Sequence, residues 1–141
     1  MQFDPGNHII KLCAMAMEME GKGQPEGAHK LSLQAWNESS NDFEKFTSAH
    51  YVARHQKTVA DKLEWDKIAL QLALKLNDDS MKASYPSLYL NIAKCYEDLN
   101  DFPNARSNYE SALSFANSLP EDGYGNMIRG GIKKGLERVA Q

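Results

Sequence analysis

Small alanine residues recur at a regular spacing in this chain of 141 residues. Ala35 and Ala69 lie 34 residues apart, and Ala112 follows after 43 residues, which fits the same period with about nine residues inserted around 77–85. A period of this length indicates a repeat protein, because each unit has an apolar face that only a neighbouring unit covers. The chain is therefore expected to fold as a stack of similar units.

The apolar residues follow the helical period in nearly every long segment, and no run alternates as a half-buried strand does. Clusters of Gly, Pro, Asn and Asp separate these segments. Pro5 and Pro86 are expected in the first turns of their helices, and Asn41 with Glu44 is expected to form a capping box. The sequence predicts an all-α fold, with helices over 5–20, 25–37, 42–56, 60–77, 85–99, 103–118 and 125–139.

The clearest unit spans residues 86–119. Small Ala93 and Ala105 would let its two helices approach closely, with larger side chains filling the space around them. The pattern comprises Tyr89, Ile92, Ala93, Tyr96, Ala105, Tyr109, Ala112 and Leu113. It resembles the tetratricopeptide repeat (TPR), a helix pair with a period of 34 residues. The resemblance implies a single TPR-like domain over 1–141, an α-α superhelix of three helix pairs at about 9–42, 43–76 and 86–119.

The second predicted repeat departs from the TPR pattern. His50 replaces a small residue, and Lys62 and Asp66 occupy positions that are usually apolar. Leu63 and Trp65 are expected to supply the missing apolar bulk from adjacent positions.

The segment 125–139 is predicted to be a capping helix, because the last repeat of such an array would otherwise expose an apolar face. Gly131 and Gly135, four residues apart, would let this helix lie close to its neighbour. One apolar stripe follows the helical period and comprises Ile128, Ile132, Leu136 and Val139.

The composition is that of a globular protein, with 42% hydrophobic and 25% charged residues and a net charge of −3. This charge argues against a nucleic-acid partner, and no apolar run approaches the roughly 18 residues of a membrane span. No signal peptide is predicted at the start of the sequence. Cys13 and Cys95 are isolated and lie in apolar helical segments, which predicts buried thiols and a cytoplasmic location.

The sequence contains no motif for catalysis or for metal binding. His50 and His55 are five residues apart and face different sides of a helix, and the two cysteines are not paired as zinc ligands are. The stretches at 42–46 (Asp-Phe-Glu-Lys-Phe), 50–55 (His-Tyr-x-Ala-Arg-His) and 85–92 (Tyr-Pro-Ser-Leu-Tyr-Leu-Asn-Ile) are similar to ones that recur in a group of small free-standing bacterial TPR proteins. The chain resembles this group, and some of its members are automatically named rRNA adenine methyltransferase. Such an enzyme needs a parallel sheet with a Gly-rich turn, and none is predicted here. We therefore expect no enzyme activity and no cofactor.

In a TPR-like superhelix the first helix of each pair lines a concave groove, so the outward residues of these helices are the predicted binding site. Aromatic, Arg and Met side chains are enriched at such contact surfaces. The predicted partner-binding groove comprises Met17, Thr47, Tyr51, Arg54, His55, Leu90 and Lys94.

Two alternatives remain open at this point. The capping helix would cover Met17 and Tyr51 in a filled groove. Arg54 would then pair with Glu44, and Lys94 would pair with Glu97. With an open groove, the expected function is non-enzymatic binding of a protein or peptide. The alternatives are a self-associating structural repeat protein and, less favoured, an RNA-related role.

Overall fold

The computed structural model describes residues 4–140. All seven predicted helices are confirmed, no strand occurs in these residues, and two short 3₁₀-helices cover Asp79–Ser84 and Ala116–Ser118. The α-helices are α1 (His8–Gly21), α2 (Pro25–Glu38), α3 (Asp42–Arg54), α4 (Val59–Leu76), α5 (Tyr85–Asp98), α6 (Phe102–Ser114) and α7 (Gly123–Arg138).

Helix α1 begins later than predicted because an asparagine caps it. The Asn7 side-chain oxygen accepts hydrogen bonds from the amides of Ile9 at 2.8 Å and Ile10 at 3.2 Å. These bonds satisfy two of the amides that a helix start leaves free. The prediction that Pro5 lies in the first turn is therefore wrong.

Two other predicted helix starts are confirmed. Pro86 lies in the first turn of α5, and Asn41 caps α3 by accepting a hydrogen bond from the Glu44 amide at 2.8 Å. The Glu44 carboxylate, however, accepts from the backbone and hydroxyl of Ser40. Asn41 and Glu44 thus form one half of a capping box. In a full box the Glu44 carboxylate would accept from the amide of the cap residue, whereas here it accepts from Ser40, the residue before the cap.

The chain forms two compact units, Met1–Leu76 and Asn77–Gln141. The boundary coincides with the residues that the repeat pattern marks as inserted. In the first unit α1 packs against α2 and α3 against α4, and α3 also contacts both helices of the preceding pair. In the second unit α5 packs against α6, and α7 contacts both.

The alanine positions that define the predicted period are all fully buried, at 0% exposure. A methyl group at these positions lets two helix backbones approach closely without leaving a void. Ala93 and Ala105 lie in one apolar cluster with Tyr109, as predicted for the third pair. The other period-defining residues are Ala28, Ala35, Ala69 and Ala112.

Two polar residues of the second pair form an ion pair whose carboxylate is buried. Lys62 Nζ lies 2.7 Å from Asp66 Oδ2; the Asp66 side chain is 3% exposed and that of Lys62 is 35% exposed. Leu63 is buried as predicted, and Trp65 meets the ring of Trp36 edge-on at 5.1 Å. A salt bridge thus stands at two positions that are apolar in the TPR pattern.

Helix α7 lies directly on Tyr109 of α6. A methyl group at Gly135 would overlap the Tyr109 ring, so the close approach predicted from this glycine is confirmed. The Tyr109 hydroxyl donates to Glu97 at 2.7 Å, and Arg138 pairs with the same carboxylate at 2.7 Å. This network joins α5, α6 and α7. Burial, together with the hydrogen bond to Glu97 and its charge, raises the pKa of Tyr109 to about 12, and Arg138 opposes the shift.

Both cysteines are buried, as predicted, and they form no disulfide. Burial raises the pKa of the Cys13 thiol to about 12. Over residues 4–140, no helix has both the length and the apolar character needed to cross a bilayer.

Candidate functional site

Helices α1 and α3 lie side by side in the first unit and form a shared surface, which we call the α1–α3 face. Tyr51 of α3 packs against an apolar cluster that includes Ile9, Leu12 and Cys13 of α1. Its side chain is only partly buried. Burial raises the pKa of the Tyr51 phenol, with a smaller contribution from Cys13. Tyr51 thus anchors the two helices and still exposes part of its surface.

An ion pair joins the C-terminal ends of the same two helices. Arg54 donates from Nε to Glu20 Oε1 at 2.9 Å and from Nη2 to Glu20 Oε2 at 3.0 Å. The pair lowers the pKa of Glu20 and raises that of Arg54. Met17, one turn before Glu20, is partly buried. Three residues of the predicted groove therefore remain accessible to solvent in this unit: Met17, Tyr51 and Arg54.

The other two groove residues of this unit are buried. Thr47 is 2% exposed, and its hydroxyl has no hydrogen-bond partner within residues 4–140. The His55 side chain is 4% exposed. His55 Nδ1 lies 2.9 Å from the Ser32 hydroxyl, and Nε2 lies 3.2 Å from Glu20 Oε1. That separation suits an ion pair, yet the atoms are not aligned for a hydrogen bond.

The two predicted groove residues of the second unit differ in accessibility. Leu90 is partly buried in the apolar clusters formed with α7, and its side chain reaches within 3.2 Å of the position that a β-carbon on Gly131 would occupy. In this unit α7 therefore covers the Leu90 position. Lys94 is exposed and pairs with Asp98 at 2.6 Å.

The ion pairs expected for a filled groove are wrong. Arg54 pairs with Glu20, which lies one repeat period earlier, and not with Glu44. Lys94 pairs with Asp98 on its own helix because side chains four residues apart meet there. The Glu97 carboxylate is instead held by Arg138, which lowers its pKa.

A pocket of about 560 Å³ lies where α1 ends, α2 begins and α3 ends, and we call it the end pocket. Two buried imidazole nitrogens in its lining residues, His29 Nδ1 and His55 Nε2, have no hydrogen-bond partner within the described residues. The charged residues that line it are Glu20, Glu26, Lys30, Arg54 and Lys57.

The end pocket was not predicted from the sequence. One signal was present, since Glu20 and Arg54 are 34 residues apart and therefore occupy equivalent positions in the first two predicted repeats. No local motif links His29 to His55, and only the stacking of the first two helix pairs brings them together.

Three further results bear on this site. No cluster of three or more His, Cys, Asp or Glu side chains that could hold a metal ion occurs in the described part of the chain. No family model matches the chain. Neither a curated protein nor a solved structure matches it.

Proposed function

We propose that this chain is a TPR-like interaction module, without enzyme activity, that binds a peptide segment of a partner protein on the α1–α3 face. The arrangement of α1 and α3 supports the proposal. The two helices are the first members of successive pairs, and they lie in contact. In repeat proteins of this kind such helices line the surface that binds partners.

The accessible side chains of this face suit protein binding. Tyr51 has a rigid ring that is already fixed against the apolar cluster of α1, so it loses little conformational freedom when a partner covers it. Met17 of α1 is partly buried and adds a flexible, polarisable surface. Arg54 provides a guanidinium group that is half exposed, and arginine is among the residues enriched at interfaces.

The Glu20–Arg54 pair is expected to set specificity more than affinity. Both side chains are more than a third exposed, and an ion pair at such a position contributes little to the stability of the fold. A partner can therefore rearrange it at low cost. Charges at the rim of an interface select partners and steer their approach.

Site-specific cross-linking tests this proposal. p-Benzoylphenylalanine replaces Met17 in one variant and Leu74, an exposed residue of α4, in the control. We expect illumination in cells to give a discrete adduct from position 17 and not from position 74. A variant with Glu20→Arg and Arg54→Glu keeps an ion pair but exchanges its charges, so it should retain the melting temperature and lose the adduct. Equal adducts from positions 17 and 74, or an adduct that survives the charge exchange, would contradict the α1–α3 face as the site.

Self-association is a second candidate because the second unit exposes large apolar side chains. Met127 is 64% exposed and Tyr124 is 47% exposed, both on α7, and Leu113 of α6 is 55% exposed. Sedimentation velocity over a hundredfold concentration range separates the candidates. A dimer that Met127→Lys dissociates would favour self-association, and a monomer at every concentration would exclude it.

A further inference from the structure

Helix α7 covers a surface of α5 and α6 in the second unit, which we call the α7 groove. Ile128 and Ile132 of α7 are buried in one apolar cluster, and Leu90 of α5 packs against it. Val139, just after α7, is buried in a second cluster with Tyr109 of α6. Because Leu90 is one of the residues predicted to bind a partner, α7 occupies a surface where a partner was expected.

The α7 groove has polar groups that bind the C-terminal end of a helix. The Glu97 carboxylate accepts from Arg138 Nε at 2.7 Å and from Nη2 at 3.1 Å. Arg106 of α6 donates to the Val139 carbonyl from Nε at 3.0 Å and from Nη2 at 2.7 Å. The last carbonyls of a helix have no partner inside the helix, so Arg106 binds a group that every helix end offers. Glu97 adds a requirement for a cation.

The α7 groove also requires a glycine close to that cation. A β-carbon at Gly135 would overlap the Tyr109 ring, and the Tyr109 hydroxyl donates to Glu97 at 2.7 Å. The same carboxylate therefore fixes the ring that excludes a larger residue and binds the guanidinium of Arg138. A helix that fits this groove has its glycine three positions before its cation.

Helix α7 is a weak helix for its length. Five of its 16 residues are glycine, and glycine is the poorest helix former after proline. A β-carbon at Gly130 would have no heavy atom within 4 Å, so packing does not require the glycine there. A helix of this length and composition is not stable alone and depends on its contacts with α5 and α6. Such segments open at a lower free energy than the rest of a domain.

We propose that α7 is a displaceable occupant of the α7 groove, and that an amphipathic helix of a partner protein binds there in its place. The partner helix has an apolar stripe and a glycine three positions before an arginine or lysine, and it ends just after this cation. The proposal goes beyond the proposed function and concerns the second unit alone. Binding of a peptide on the α1–α3 face is therefore tested separately.

Competition between α7 and the partner helix makes the proposal measurable. The apparent Kd equals the intrinsic Kd divided by the fraction of molecules whose groove is open. A substitution that stabilises α7 only in its docked, helical form should therefore weaken partner binding by the same factor.

A fluorescein-labelled synthetic peptide of residues 120–140 is the probe, and fluorescence anisotropy measures its binding to the full chain. Gly130→Ala in the protein should weaken the affinity about twofold to fivefold, because the protein's own helix is harder to displace. The same substitution in the peptide should strengthen binding by a similar factor, because the bound helix forms more readily. Opposite effects of one substitution are expected only if the peptide takes the place of α7.

Peptide variants test the chemistry of the groove. Gly135→Ala in the peptide should weaken binding at least about tenfold, because its methyl group would overlap the Tyr109 ring. Arg138→Gln in the peptide should also weaken binding, because Glu97 loses its cation. Lys133→Gln changes an exposed residue of α7 and should leave the affinity unchanged.

Hydrogen exchange of the full chain tests the opening of α7 without the peptide. The α7 amides should exchange about tenfold faster than the buried amides of α5 and α6, and Gly130→Ala should slow them about twofold to fivefold. The proposal is overturned if α7 exchanges only through global unfolding, if the peptide does not bind, or if Gly130→Ala has the same effect in both chains. A dimer in which two copies exchange α7 would assign the groove to a second copy and would also overturn it.

Discussion

Two glycines of α7 should respond in opposite directions to the same substitution. Replacing glycine with alanine inside a helix stabilises the helix by about 1 kcal/mol, because alanine loses less backbone freedom on folding. At Gly130 a β-carbon would have no heavy atom within 4 Å. We therefore expect Gly130→Ala to raise the stability by about 0.5–1 kcal/mol.

At Gly135 the same β-carbon would overlap the Tyr109 ring. Tyr109 is 0% exposed, and its hydroxyl is held by Glu97 at 2.7 Å and contacted by Arg138 at 3.3 Å. Because the ring is fully buried and its hydroxyl is held in place, the strain should lie at the upper end of the range for overpacking, about 3 kcal/mol. After the helix gain is subtracted, Gly135→Ala should destabilise the protein by about 2 kcal/mol.

Thermal unfolding followed by far-UV circular dichroism measures both variants. For a chain of this size, 1 kcal/mol corresponds to a shift of roughly 3–4 °C in melting temperature. Gly135→Ala should therefore melt about 10 °C below Gly130→Ala. In a Tyr109→Leu background the penalty of Gly135→Ala should fall by at least half, since the obstructing ring is gone. Equal melting temperatures for the two alanine variants would refute the contact between α7 and Tyr109 on which the reasoning depends.

Two further predictions concern the second helix pair. Asp66→Ala should lower the free energy of unfolding, measured in urea, by about 2 kcal/mol because it leaves Lys62 partly buried without its partner. Lys62→Met with Asp66→Leu should leave this free energy almost unchanged. Equal losses in the two variants would argue against a desolvated pair. Burial lowers the pKa of His50 from 6.5, with Asp66 opposing and Lys62 adding to the shift. The unfolded chain therefore binds this proton first, and the stability that the neutral ring provides above pH 6.5 is lost as the pH falls below that value. Urea unfolding at pH 7.5 and 5.5 should show a smaller loss for His50→Gln than for the wild type; identical losses in the two proteins would count against a titrating His50.

The all-helical fold was predictable because small residues recur in the sequence at a regular spacing where helices pack closely. Ala35, Ala69 and Ala112 each mark a place where two helices nearly touch, and all three are fully buried. The residue at which α1 begins was harder to predict. Pro5 and Asn7 both provide signals for a helix start, and the two hydrogen bonds accepted by Asn7 outweigh the preset backbone angle of the proline.

The site was less predictable from the sequence because the burial of a side chain depends on the helices that pack around it. The position of a residue in the predicted repeat does not show which helices these are. Thr47 and Tyr51 were assigned to the same face of α3 by their spacing, yet Thr47 is buried and Tyr51 keeps accessible surface. The Glu20–Arg54 pair did have a signal in the sequence, because the two residues are separated by the repeat spacing of 34 residues. The end pocket depends on where one helix stops and the next starts, and these are the positions that sequence patterns determine least well.

The residues that stabilise the helix pairs are largely distinct from the charged residues that line the end pocket. Buried alanines and the contact between Trp36 and Trp65 stabilise the pairs. Glu26 and Lys57 lie on exposed surface, where substitutions usually change stability by less than about 0.5 kcal/mol. A substitution of either residue should therefore change the end pocket without changing the fold. His55 is the exception, because it lines the end pocket and is also buried against Ser32, so substituting it would change the fold and the site together.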